Sequence, residues 1–191
     1  QGVYALDART GAMRWRFATG DVVHASPAVV GGVVYVGSWD RNLYAIDATT
    51  GRERWRHTTG ADTLIYNQVG LASSPAVVDG MVLVGGRDGR FHAVDAATGA
   101  ERWSHNNRGG WTIGSPAVRD GVVYFATSDG RRFKALDVRT GVLRFDLENK
   151  AISFSSPALA GTVAYYGTSD GWVHGVDVRT GAFTAHFQTD G

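Results

Sequence analysis

Seven basic side chains of this chain stand in short polar stretches beside large aromatic rings: Arg41, Arg87, Arg90, Arg108, Arg131, Arg132 and Lys150, with Trp39, Trp111, Trp172 and Phe154 among them. A guanidinium is planar, permanently charged and forked, so arginine next to aromatics suits recognition of a carboxylate, a phosphate or a protein hot spot. Tyr66, Asn67 and Gln68, within TGADTLIYNQVGLAS (59–73), add a polar and aromatic set suited to ligand contact. Asp40, Asp88, Asp129 and Asp170 lie in the same stretches and dilute the positive charge, so ordinary solvated turn residues are the competing reading.

Other chemistries find less support. The glycines of GGRDGR (85–90) are no phosphate loop, because a strand follows where a helix N-terminus is needed. The six histidines lack a convincing ligand spacing. His92 and His174 occupy the place in an internal repeat that Tyr4, Tyr44 and Lys134 hold elsewhere, which reads as a tolerant face rather than a metal site. With no cysteine, disulfides, thiolate metal sites and cysteine nucleophiles are excluded. No catalytic, cofactor-binding or metal-ligating residue is assigned.

The elements that must carry the arginine and aromatic residues come from one unit used five times. ALDARTGAMRWRF starts at Ala5, AIDATTGRERWRH at Ala45, AVDAATGAERWSH at Ala93, ALDVRTGVLRFDL at Ala135 and GVDVRTGAFTAHF at Gly175. The anchoring aspartates Asp7, Asp47, Asp95, Asp137 and Asp177 set periods of 40, 48, 42 and 40 residues, the mark of a repeat architecture. Ser-Pro-Ala keeps the same rhythm from Ser26, Ser74, Ser115 and Ser156 and uses all four prolines.

Between these markers run short apolar segments such as PAVVGGVVYVGS (27–38), each reading as two β-rich strands around a glycine-containing turn. NLYAIDA (42–48) gives a third strand and RERWRH (52–57) a fourth, and nothing carries helical periodicity. Four antiparallel strands in about 40 residues is the blade of a β-propeller. The strands are labelled A to D outward, and the inner two are expected to be the ones buried on both faces. The expected fold is a single all-β propeller domain over 1–191: a half blade at 1–17 and full blades near 26–57, 74–105, 115–147 and 156–187.

In each C–D turn the aspartate is expected to accept backbone N–H groups, and Gly11, Gly51, Gly99, Gly141 and Gly181 to supply positive φ. Four residues on stand Trp15, Trp55, Trp103 and Phe145, placed to fill the gap between blades, with Ala185 in the fifth copy. This motif is read as a structural clamp rather than a chemical site. The B–C turns and D–A connections then emerge on one face, which carries the candidate binding residues. The opposite face holds the A–B and C–D turns, with Arg9, Arg139 and Arg179 there as a lesser electrostatic contribution.

Bulk numbers set further bounds. Nineteen basic against eighteen acidic residues provide no global charge to draw the chain to nucleic acid. No apolar run approaches the roughly 20 residues of a membrane span. The first residues lack a signal peptide's charged and apolar regions, as a mature or excised segment also would. Zero cysteines suit an extracytoplasmic setting, which is the expected location.

The pattern Ala45, Asp47, Thr50, Gly51 and Trp55 resembles the tryptophan-docking motif of the PQQ-type (pyrroloquinoline quinone) propeller repeat, and five copies extend the resemblance over nearly the whole chain. That family implies two kinds of function. One is the quinoprotein alcohol dehydrogenases, with eight blades, a bound quinone, usually calcium, and a vicinal disulfide that a chain without cysteine does not supply. The other comprises noncatalytic propellers, including the lipoprotein of the outer-membrane β-barrel assembly machinery and sensor domains of bacterial kinases. The expectation is a noncatalytic binding or scaffold module for protein partners or a small anionic ligand, as a sensor or assembly domain of a larger bacterial protein. A fragment of a PQQ-dependent dehydrogenase and a truncated or engineered propeller are the alternatives, with PQQ and calcium entering only under the first. The half blade reads as part of a longer propeller, whose unpaired edge invites self-association.

Overall fold

A strand buried on both faces must be apolar at every position, because its alternate side chains enter two different layers. The computed structural model, which describes residues 1–61 and 69–189, shows where such strands lie. A two-stranded sheet of β1 (Gly2–Leu6) and β2 (Met13–Ala18) is followed by β3 (Ala28–Val30), β4 (Val33–Gly37), β5 (Asn42–Asp47) and β6 (Glu53–Thr58), which pair consecutively and antiparallel. The same order recurs in β7 (Ala76–Val78), β8 (Met81–Gly85), β9 (Arg90–Asp95) and β10 (Glu101–Asn106). It recurs again in β11 (Ala117–Arg119), β12 (Val122–Ala126), β13 (Arg132–Asp137) and β14 (Leu143–Glu148), and in β15 (Ala158–Ala160), β16 (Val163–Gly167), β17 (Trp172–Asp177) and β18 (Phe183–Gln188). The chain is an all-β partial propeller, and no helix occurs among the described residues.

The core lies in the seams between sheets. Along β4, Val33 and Tyr35 enter the seam shared with β8 and β9, while Val34 and Val36 enter the seam shared with the first sheet. Along β5, Leu43 and Ala45 go one way and Tyr44 and Ile46 the other. The doubly buried strands are therefore B and C, not the inner two. Strand A is short and faces the open centre, leaving Val29 61% and Val30 49% exposed, because no sheet covers its inner edge. Neighbouring A strands are joined through the Ser-Pro-Ala marker: the N–H of Ser26 donates to Ser74 Oγ and that of Ser115 to Ser156 Oγ, both at 2.9 Å.

Each C–D turn is closed as its sequence demands. Asp47 Oδ1 accepts the N–H groups of Thr49 (3.0 Å) and Thr50 (2.8 Å), and Oδ2 accepts Arg54 Nη2 at 2.6 Å. Arg14, Arg102 and Arg144 repeat that ion pair with Asp7, Asp95 and Asp137, seven residues apart each time. In the fifth copy Thr184 stands at that place, and Arg179 sits 3.4 Å from Asp177 instead. The arginine hydrogen bond first, then the threonine beside it, holds Asp7, Asp95 and Asp137 down at about 2.

The turn is also a socket. Trp15 Nε1 donates to Ala48 O at 2.9 Å, Trp55 Nε1 to Ala96 O at 3.1 Å and Trp103 Nε1 to Val138 O at 2.9 Å, each reaching the next blade's turn. The indole then lies flat on that turn's glycine: a Cβ added to Gly51 would stand 2.7 Å from the Trp15 ring, and φ there is +71°. Two independent constraints thus require glycine, the left-handed backbone and the approach of the ring. Phe145 makes the same approach to Gly181 with no N–H to donate.

Trp55→Ala should lower stability by about 3 kcal/mol, the scale of a truncated, largely packed aromatic. Trp55→Phe should cost about 1 kcal/mol, the worth of the lost hydrogen bond. Denaturant midpoints for the two variants check this ranking, and equal losses would show that the ring's packing carries nothing. The ion pairs set a pH response. A carboxyl whose folded pKa lies below its ordinary value of 3.8 contributes stability above that value and loses it as pH falls toward about 2. The triple variant Arg54→Ala, Arg102→Ala, Arg144→Ala should show a flatter loss of urea midpoint between pH 4 and pH 2 than the parent, by a modest margin since these pairs are solvent-screened.

Candidate binding face

Loops hold functional residues in place only if their own backbone is held. Here the B–C turns and the D–A connections lock together through a repeated pair of bonds. The N–H of Trp39, Arg87, Ser128 and Ser169 donates to Val22 O, Gly70 O, Trp111 O and Ile152 O at 2.9, 3.1, 2.8 and 2.9 Å. The second bond runs from the N–H of Thr59, Asn107, Asn149 and Thr189 to the carbonyls of Arg41, Gly89, Arg131 and Gly171, at 2.8 to 2.9 Å. These four acceptors share a left-handed backbone, with φ of 73° at Arg41, 72° at Gly89, 48° at Arg131 and 83° at Gly171. Two repeats thus carry arginine where two carry glycine.

The candidate residues divide into three groups. Arg87 and Trp111 are buried, at 8% and 6% exposure, although exposed anchors were expected. The Arg87 guanidinium lies 4.2 Å from the Trp39 ring centre and 5.4 Å from that of Trp111, a cation between two aromatic faces. The His24 ring also packs against Trp39, tilted, with centres 4.7 Å apart. Burial draws the Arg87 pKa down, with the Asp129 charge opposing. The stack fits because Gly70 sits against the Trp39 backbone, where an added Cβ would stand 2.3 Å from Trp39 Cα. Its members glue the face together from inside.

Arg90 and Arg132 are turned back onto their own sheets. Arg90 donates to Ser104 Oγ, and Arg132 pairs with Asp146 at 2.8 Å and Glu148 at 3.3 Å. Trp172 is half-buried and walls an open cleft of about 530 Å³ between the last two sheets, with Lys150, His174, Phe183 and His186.

Arg41, Arg108 and Arg131 form the third group. They are exposed, all three have positive φ, and their side chains make no hydrogen bond or ion pair among the described residues. The carboxylates that alternate with them are committed to turns. Asp40 accepts from Tyr44 Oη, Asp88 is bound by His92, Asp129 accepts from Ser128 Oγ and Asp170 from Thr168 Oγ1. The charge dilution expected from composition is therefore weaker in space. Tyr66, Asn67 and Gln68 lie outside the described residues.

One constellation escaped the sequence reading. His57 on β6, His92 on β9 and Glu101 on β10 meet across the seam between two blades, with their ligand-type atoms all within 4.8 Å. Comparing each position down the repeats hid this, because the partners come from different positions of adjacent repeats. The signal was available only after stacking one repeat on the next.

A family model described as outer membrane protein assembly factor BamB matches residues 1–65 and again residues 66–189. The chain belongs to this family of PQQ-type repeats. Among solved structures, BamB from Moraxella catarrhalis is 26% identical and superimposes with a TM-score of 0.84 over 97% of this chain and 57% of its own. Quinohemoprotein alcohol dehydrogenase from Comamonas testosteroni reaches 0.87 at 21% identity, over 98% of this chain and 40% of its own. A europium-containing methanol dehydrogenase reaches 0.82 at 19%, over 97% and 47%. At those two identities the likeness is one of fold alone. The chain spans little more than half the length of the first and less than half of the others. None of the curated proteins matches the chain.

Arg87→Ala should lower stability by about 2 kcal/mol, the upper scale of a desolvated cation–π contact, while Arg108→Ala leaves it unchanged. Chemical denaturation followed by tryptophan fluorescence decides this, and equal midpoints for both variants would remove the stack from the framework.

Proposed function

We propose that this propeller is a noncatalytic module that engages carboxylate-bearing segments of partner proteins on its loop face, in an extracytoplasmic compartment of a bacterium. The observation that carries the reading is the trio Arg41, Arg108 and Arg131: exposed, without side-chain hydrogen bonds or ion pairs among the described residues, and mounted on backbone that the turns hold at positive φ. An arginine in that conformation is unfavourable by roughly 1 kcal/mol relative to glycine, so Arg41 and Arg131, at the place where two other repeats use Gly89 and Gly171, need a compensating use. Solvated guanidiniums on locked loops meet acidic partners with little conformational entropy left to lose. Membership in a family described as an assembly factor supports a protein partner over a small ligand, and the absence of cysteine suits the compartment. The rival reading, a piece of a quinone-dependent dehydrogenase, is supported by fold alone.

Fluorescence anisotropy with a labelled, glutamate-rich peptide tests the reading. Arg41→Ala with Arg108→Ala and Arg131→Ala should weaken binding by about tenfold or more, and added salt should weaken the parent. Arg139→Ala with Arg179→Ala is the control, since those side chains lie 3.8 Å from Asp79 and 3.4 Å from Asp177 on the opposite face. A larger loss from the control pair, or no loss from the trio, would reject the assignment.

A further inference from the structure

His92 is nearly enclosed, its side chain only 3% exposed, yet both ring nitrogens face carboxylates. Nε2 lies 3.0 Å from Asp88 Oδ2 and Nδ1 lies 2.9 Å from Glu101 Oε2. Asp88 is itself 2% exposed and accepts the N–H groups of Gly60 and Arg90 at 3.0 and 3.1 Å. Burial disfavours a charge on Asp88, and the His92 ring with those two N–H groups offsets that cost by hydrogen bonding. Either ring nitrogen can donate to the carboxylate beside it, and a metal at Nδ1 would take the place of the proton there while Asp88 holds Nε2–H. Glu101 offers the complementary half: Oε1 accepts from Ser104 Oγ at 3.0 Å, and Oε2 faces both imidazoles.

The second imidazole comes from the preceding blade. His57 Nε2 stands 3.7 Å from Glu101 Oε2, with its ring centre 5.9 Å from that of His92. His57 is half-buried at the seam, with its ring turned to the same carboxylate oxygen that His92 faces. Two imidazoles and a carboxylate converge from three strands, with the buried Asp88 orienting one ring from behind.

The repeat itself does not require this set. The positions corresponding to His57, His92 and Glu101 are Phe17, Tyr44 and Glu53 at the preceding seam. They are His105, Lys134 and Leu143 at the following one, and Leu147, His174 and Phe183 at the last. Each of those seams is filled in its own way, the first by an edge-to-face contact of Phe17 with Tyr44 and the third by Lys134 on Asp146 at 3.0 Å. Only one of the four combines two histidines with a carboxylate.

We propose that His57 Nε2, His92 Nδ1 and Glu101 Oε2 form a binding site for a divalent metal of the zinc class. Neighbouring ligand atoms around tetrahedral Zn²⁺ lie about 3.3 to 3.5 Å apart, given metal–ligand bonds near 2.0 to 2.2 Å. The 2.9 and 3.7 Å separations from Glu101 bracket that spacing, and the two imidazole nitrogens, within 4.8 Å of each other, must draw together to close the shell. A borderline-soft cation suits two imidazoles and one carboxylate better than calcium or magnesium, which ask for oxygen. Glu101 is 39% exposed and leaves one side open to solvent, so water completes the coordination. Bound there, the metal ties the outermost strand of one blade, β6, to β9 and β10 of the next. Asp88 is a positioning residue for it.

The test is isothermal titration of tag-free, chelator-treated protein with ZnCl₂, followed by the visible spectrum on adding Co²⁺. One Zn²⁺ per chain, an intense tetrahedral-type Co²⁺ spectrum and a rise in melting temperature on loading are expected. His57→Leu puts at this position the residue that the third full blade already tolerates at Leu147, and Glu101→Gln keeps a hydrogen-bonding side chain against His92. Each should weaken Zn²⁺ binding by at least about tenfold and abolish the thermal shift. His105→Leu, at the next seam, should leave both unchanged. No stoichiometric binding by the parent, or binding that survives both His57→Leu and Glu101→Gln, would overturn the proposal. If either variant fails to fold by circular dichroism, the remaining variant and the Co²⁺ spectrum of the parent still decide it.

Discussion

Everything in this molecule hangs from one contact: an aromatic ring at the outer strand of a blade laid on the glycine of the next blade's turn, with the indole N–H, where there is one, on the carbonyl three residues earlier. A four-stranded sheet of this size cannot bury both faces alone, so blades exist only as neighbours. The docked ring sets their spacing and angle, and the carboxylate closing the turn keeps the socket in shape. The apolar stretches of strands B and C can then be continuous, since each alternate side chain finds a seam.

Because the frame is supplied so fully by a few residues per repeat, the remaining positions are free to differ. The loop face uses that freedom in two ways. Arg87, Trp39 and Trp111 are spent inward, as a buried stack that joins adjacent turns. Arg41, Arg108 and Arg131 are spent outward on backbone that would favour glycine. The seams use the same freedom below the surface, where one pair of blades meets through histidines and carboxylates rather than rings.

The repeats made the fold legible, because turn aspartates, glycines and tryptophans recur at fixed offsets whose physical roles are local. Gly51 and Asp47 were readable from their own neighbourhoods. What crosses from one blade to another was not: whether Trp111 is a surface anchor or a buried partner depends on the stack it joins, and Arg90 differs from Arg108 only through Ser104 beside it. The burial of strands B and C rather than A and B likewise depends on what faces the centre of the ring. His57 and His92 stand 35 positions apart and meet only through the angle between two sheets. Side-chain identity was in the sequence, but pairing across the seam was a property of the packing.

Where Trp15, Trp55 and Trp103 each reach a neighbouring carbonyl, Phe145 cannot, and Ala185 leaves the matching place in the final repeat without a ring. Assemblies held by nearest-neighbour contacts open in units, and the unit with the weakest junction opens at the lowest free energy. The junction that carries β15–β18 exchanges that one bond for others: Arg119 donates to the carbonyls of Leu159 and Gly161, and Tyr166 Oη to Asn149 Oδ1, so each seam of this chain is held by its own set of contacts.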